Sequence, residues 1–154
     1  MIQTIFTILV ALGFVFITLH DLVDIPGWAH GRQVRAAIGP TKTVIGTLVN
    51  GIFPGLALFY AIQYWHRVPP TYVLNYWVIY CAITMAGAIQ SWWIPYFWGT
   101  NEKTKQLYAA MYAGTRQVLP ARGDNPRPNL LHLYFHALGL STLILAVMLR
   151  LGIG

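Results

Sequence analysis

Four long apolar runs divide this chain of 154 residues: about Ile2–Leu19, Val44–Trp65, Tyr72–Trp93 and Leu130–Leu151. Each is close to the ~20 residues an α-helix needs to cross the hydrocarbon of a bilayer. A backbone in lipid must satisfy its own hydrogen bonds, and a helix does so. Only 9% of the residues are charged, against about 25% in an average soluble domain. The expected fold is therefore all-α: an integral membrane four-helix bundle in up-down-up-down order, one transmembrane domain over residues 1–154. The first run lacks the basic start of a cleavable signal peptide and is read as a retained spanning helix.

The connections between the runs are unequal. Residues 66–71, with Pro69 and Pro70, make a tight turn that cannot continue a helix. Residues 20–43 and 94–129 are long, and alternation puts both on one side. That side holds Arg32, Arg35, Lys42, Lys103, Lys105, Arg116, Arg122 and Arg127, whereas only Arg67 and Arg150 lie opposite. The positive-inside rule makes the long-loop side cytoplasmic and leaves both termini outside, as in a bacterial inner membrane. It also accounts for the formal charge of +6 without a nucleic-acid partner. Trp28, Trp92, Trp93, Tyr96, Phe97 and Trp98 mark one interface; Tyr64, Trp65, Tyr72, Tyr76 and Trp77 mark the other.

The long loops carry structure of their own. Leu107, Tyr108, Met111, Tyr112, Thr115, Val118 and Leu119 recur at helical spacing, which predicts an interfacial amphipathic helix over about 101–119, ended by Pro120. A shorter helix is expected over about Trp28–Ile38, stopped by Gly39-Pro40. Residues 120–129, with three prolines and a glycine, are expected to be irregular. Arg-Gly-Asp at 122–124 is read as coincidental. The single cysteine, Cys81, lies in an apolar run, so it forms no disulfide within the chain and reads as a packing residue.

What the charge sorting does not explain is a set of histidines and acids at one level. His132 and His136 stand one turn apart on one face at the start of the fourth run. His20 and Asp24 have the same spacing at the end of the first, with Asp21 beside them. Ionisable groups within a membrane are costly and mark sites by default. His132, His136, His20 and Asp24 are candidate ligands for a divalent metal, Zn²⁺ or non-haem Fe²⁺. A metal-free polar pocket is the other reading of the same residues. In a catalytic version His136 is the general base, oriented by Asp24, with His20 beside them. Haem between His20 and His136 is a further reading, without any CxxCH attachment sequence.

Asn50, Gly51, Pro54 and Gly55 interrupt the second run near the same level, either as a polar cavity wall or as a small-residue packing face. Asp21, Asn50, Arg116, Arg122 and Arg127 are the expected ligand-binding residues, the arginines as partners for an anionic head. The chain has no Walker loop, no GxSxG and no glycine-rich dinucleotide turn.

These residues lead to a membrane-embedded enzyme or ligand-binding protein, with a cytoplasm-facing His/Asp/Arg pocket for an anionic or amphiphilic, lipid-like molecule. The other classes are a small transporter or channel subunit, which would have to work as a homo-oligomer, and a structural subunit of a membrane complex. Transport fits poorly with an outer half almost free of ionisable groups.

Overall fold

The computed structural model describes residues 1–153. In chain order the elements are α1 (Ile2–Leu19), β1 (Asp24–Ile25), β2 (Ala29–His30), α2 (Gly31–Ile38), α3 (Pro40–Gln63), α4 (Thr71–Ala88), a π-helical turn (Ile89–Trp93), α5 (Ile94–Trp98), α6 (Glu102–Met111) and α7 (Leu130–Arg150). Four helical stretches are long and apolar enough to cross a membrane: Ile2–Leu19, Pro40–Gln63, Thr71–Trp98 and Leu130–Arg150. This is an all-helical membrane protein, with one two-residue antiparallel ladder between β1 and β2.

Two spans differ from their expected limits for reasons visible in the chain. The second begins at Pro40, because proline suits the first helical position, where its missing N–H has no partner to lose. The third runs past Trp93 through the π turn into α5. Pro95 cannot return an N–H to the Ser91 carbonyl, and Tyr108 Oη donates to that carbonyl instead at 2.6 Å.

The spans pack as a row, with α1 between α3 and α7, and α4 on the far flank of α7. Glycines set this order. A Cβ on Gly51 would stand 3.2 Å from Thr18 Cγ2, and one on Gly55 3.3 Å from the Phe14 ring, so the Gly51-x-x-x-Gly55 face draws α3 against α1. On α7, a Cβ on Gly139 would come within 2.9 Å of Met85 Sδ, so α4 is seated on α7 in the same way. Although joined by a tight turn, α3 and α4 meet less closely than either pair.

They do close at the turn end. Phe6, Ala57, Ala61, Val73, Trp77 and Ala146 are all fully buried there. Trp77 Nε1 donates to the Ala57 carbonyl at 3.3 Å, and Tyr76 Oη to the Phe53 carbonyl at 2.7 Å. Cys81 belongs to this core, as a packing residue should. Beyond Phe53, toward the long loops, the two helices part.

The long-loop end corrects two expectations. The helix expected over 101–119 is shorter, Glu102–Met111, capped by Asn101 Oδ1 accepting from the Thr104 N–H at 2.9 Å. Gly114, at φ +73, turns the chain out of it. The segment that follows is spent on stitching: Arg116 N–H donates to the Gly27 carbonyl at 2.7 Å, and Leu130 N–H to the Arg116 carbonyl at 2.8 Å. The expected helix over 28–38 starts only at Gly31, because Asp24–His30 fold as the β1–β2 hairpin around Pro26-Gly27. A Cβ on Gly31 would come within 2.7 Å of the Leu22 backbone carbon, so that position admits no side chain without moving the main chain.

Candidate functional site

Between the parting helices α3 and α4 lies a cavity of about 680 Å³. Its floor is formed by α1 and α7, through Phe16, Phe135 and the polar residues at their long-loop ends. Its side walls are Phe53 and Pro54 on α3 and Ile79, Ile83 and Gly87 on α4. Phe53, Ile79 and Ile83 are 59%, 57% and 68% exposed, so the walls are uncovered along the α3–α4 gap.

The long-loop end of the cavity is polar, and the chain builds it from two helix termini. His20 follows the last residue of α1 and folds back so that its Nδ1 meets the Phe16 carbonyl at 3.0 Å. Asp21 comes next, with Oδ1 3.3 Å from His20 Nε2. The contact lacks hydrogen-bond geometry, and Asp21 Oδ1 is cut off from solvent with no partner. On α7, Asn129 is the N-cap: its Oδ1 accepts from the His132 backbone N–H at 2.9 Å and meets His132 Nδ1 at 2.8 Å. His136 follows one turn later, also buried, with Nδ1 cut off and unpartnered.

These bonds decide what each ring presents. Asn129 Oδ1 is an oxygen, because a backbone N–H donates to it, so His132 Nδ1 must be the donor in the second contact. The neutral ring then keeps a bare Nε2. His20 follows the same logic, since the Phe16 carbonyl can only accept. His132 Nε2 is thus left to meet an occupant, with the Asp21–His20 pair and the His136 ring lining the same end. His132 sits in an aromatic cage: its ring centroid is 4.2 Å from that of Trp92, 5.2 Å from Tyr112, 5.6 Å from His20 and 6.0 Å from Phe16. Phe16 in turn stacks between His20 at 4.5 Å and Phe135 at 4.2 Å. Burial, and then the nearby Asp21 carboxylate, push the Tyr112 hydroxyl well above the usual tyrosine range. The Tyr112 phenol stays neutral there.

Of the residues singled out in the sequence, the structure gathers His20, Asp21, Asn50, His132 and His136 on one cavity. Asp24 is elsewhere. The chain leaves α1 at His20, so the helical spacing from His20 to Asp24 is never realised. Asp24 accepts instead from the Arg32 backbone N–H at 3.0 Å and from Arg32 Nε at 2.6 Å. The backbone bond, aided by the guanidinium, holds its carboxyl below the usual range. Asp24 therefore orients no cavity histidine; the carboxylate beside His20 is Asp21.

The three arginines also lie apart from the cavity. Arg116 is exposed on the stitching segment. Arg122 stacks over the Tyr96 and Phe97 rings at 5.4 and 4.8 Å. Arg127 Nη1 donates to the Leu119 carbonyl at 3.2 Å. Among the described residues, no three His, Cys, Asp or Glu side chains converge as metal ligands.

Sequence reasoning passed over Asn129 and gave Trp92 only an anchoring role. Asn129 was legible as an Asn directly before an apolar run, a helix-start signal. The role of Trp92 depends on the π turn, whose widened coil re-aims side chains and recurs at functional sites. No family, curated protein or solved structure matched this chain on comparison.

Proposed function

We propose that this membrane protein takes an amphiphilic, lipid-like molecule from the bilayer through the gap between α3 and α4. The molecule's chain lies in the apolar cavity and its polar end meets His20, Asp21, His132 and His136. The observation that carries this reading is the cavity itself: about 680 Å³, lined mostly by apolar side chains, with its histidines and its one carboxylate gathered at the long-loop end. Ligand pockets fall in the same size range of about 300–1,000 Å³ and combine apolar walls with a few placed polar groups. The sealed Phe6–Trp77 core at the turn end favours binding over passage through the chain. The bare His132 Nε2 is the base available for chemistry on the polar end, with His20 and Asp21 to share the proton.

Up-down-up-down order, long loops in the cytoplasm, both termini outside and residence in a bacterial inner membrane belong to the same proposal. They are supported by the tight 66–71 turn and by eight of ten cations falling with the long loops. Reporter fusions at the two termini should both read outside; a cytoplasmic C-terminus would reverse the sidedness.

Gly87 offers the direct test. It lines the cavity on α4, and a Cβ there would meet nothing within 4 Å. Gly87→Phe should therefore fill the cavity without disturbing the packing, and phenylalanine is the better helix former. Wild-type protein purified in mild detergent should carry lipid-like molecules detectable by mass spectrometry, and the variant should carry at least about tenfold less at equal thermal stability. Equal lipid in both, with the variant folded, would sink the reading.

A further inference from the structure

Acceptors dominate the polar end. His132 Nε2 is bare when its ring is neutral, because its Nδ1–H is committed to Asn129, while His20 Nε2 lies 3.3 Å from Asp21 Oδ1. Asp21 is a carboxylate, which only accepts. On the neighbouring wall, Pro54 has no N–H to return to the Asn50 carbonyl. Among the described residues no lysine or arginine lines the cavity; Arg116, Arg122 and Arg127 are placed or bonded elsewhere, and Arg35 Nη1 is committed to the Leu22 carbonyl at 2.7 Å. The donors on the wall are uncharged: the Asn50 amide, the Ser91 and Tyr80 hydroxyls and the Trp92 indole N–H.

Such an end repels a phosphate or carboxylate. It would place an anion beside Asp21, where the one facing ring, His20, already lies 3.3 Å from that carboxylate, in surroundings where charges are weakly screened. It asks instead for a donor. A hydroxyl fits best: it donates one proton to His132 Nε2 or Asp21 Oδ2, accepts from Asn50 or Ser91, and brings no charge into the spans. An ammonium satisfies the acceptors too, but it must shed its hydration to enter and it competes with His20 for Asp21.

Resting on the reading of the cavity as a lipid-like site, we infer that its ligand is an uncharged long-chain alcohol, with the hydroxyl held by Asp21 and His132. The anionic head expected from the arginines is set aside on the same ground.

The test uses the whole protein in detergent and three probes of equal chain length: hexadecanol, hexadecanoate and hexadecylammonium. Each is titrated at pH 7 by tryptophan fluorescence, since Trp92 lines the site. Gly87→Phe defines the signal that comes from the cavity. Hexadecanol should bind at least about tenfold tighter than hexadecanoate. Asp21→Asn should shrink that preference about tenfold, chiefly by letting hexadecanoate in. His132→Phe, which keeps the aromatic bulk, should weaken hexadecanol about tenfold and hexadecanoate much less. Hexadecanoate or hexadecylammonium binding as tightly as the alcohol would overturn the head-group assignment and leave the cavity reading standing. A wild-type protein that holds none of the three, and carries no lipid on purification, would sink the cavity reading itself.

Discussion

Trp77→Ala is expected to cost the protein about 2–4 kcal/mol, with thermal unfolding in detergent or denaturant titration as the measurement. Trp77 is the largest fully buried side chain, and it stands where α3, α4 and α1 come together. Its ring lies 4.6 Å from that of Phe6, and its N–H is held by the Ala57 carbonyl. Burial of apolar surface against water contributes little in this setting, because lipid tails solvate a tryptophan ring too. What is lost is packing and one hydrogen bond, so the figure sits at or below the ~3–5 kcal/mol of an aromatic-to-alanine change in a soluble core. Trp77→Phe should recover most of it, since the hydrogen bond alone is worth about 1 kcal/mol. The placement of Trp77 sharpens the expectation further. The turn end is the one place where α3 and α4 close on each other, so loosening it should also enlarge the gap toward the cavity. Wild-type stability in Trp77→Ala would mean that the glycine-mediated pairs α1–α3 and α4–α7 hold the row without this closure.

The spans were legible because their signal is additive: twenty apolar residues and two prolines between them leave little choice of structure. Their arrangement was legible only in part. Gly51 and Gly55 announced either a packing face or a cavity wall, and the structure uses both, the glycines against α1 and Asn50 toward the cavity. Of the site, the histidines and Asp21 could be read from their common depth. Asp24 could not be separated from them, because helical spacing is meaningful only where the helix continues, and α1 ends at Leu19, two residues before the first acid, Asp21. The arginines lie off the cavity for a different reason. Counting charge on one side of a membrane locates a face, whereas a site requires the side chain to reach it. Here one guanidinium lies on aromatic rings and another on a loop carbonyl. The tautomers of His20 and His132 were beyond sequence altogether, since they are set by oxygens whose positions only the fold supplies.

Asn129→Ala should be about as damaging to stability as any single polar change in the chain, and more damaging to the site than to the fold. The residue is 1% exposed, and its one oxygen does two jobs. As the N-cap of α7 it satisfies the His132 backbone N–H, and losing a cap costs about 1 kcal/mol. As the partner of His132 Nδ1 it fixes the ring, and a buried N–H left unmatched costs about 1–3 kcal/mol more. A total of about 2–4 kcal/mol is expected by thermal unfolding. Asn129→Ser separates the two roles. Serine caps a helix about as well as asparagine, so most of the first contribution should return. Its hydroxyl is a shorter reach than the amide and should leave the imidazole free. Nitrogen NMR of histidine-labelled protein reads the difference directly. His132 should show a protonated Nδ1 and a bare Nε2 in the wild type, and a mixture of tautomers in Asn129→Ser. Because the bare Nε2 is what the cavity offers a hydroxyl, Asn129→Ser should weaken hexadecanol binding in proportion to the rings that lose it, a few-fold and less than His132→Phe, while keeping near wild-type stability. Hexadecanol binding unchanged in both Asn129→Ser and His132→Phe would show that His132 contributes its bulk to the cage and not its nitrogen.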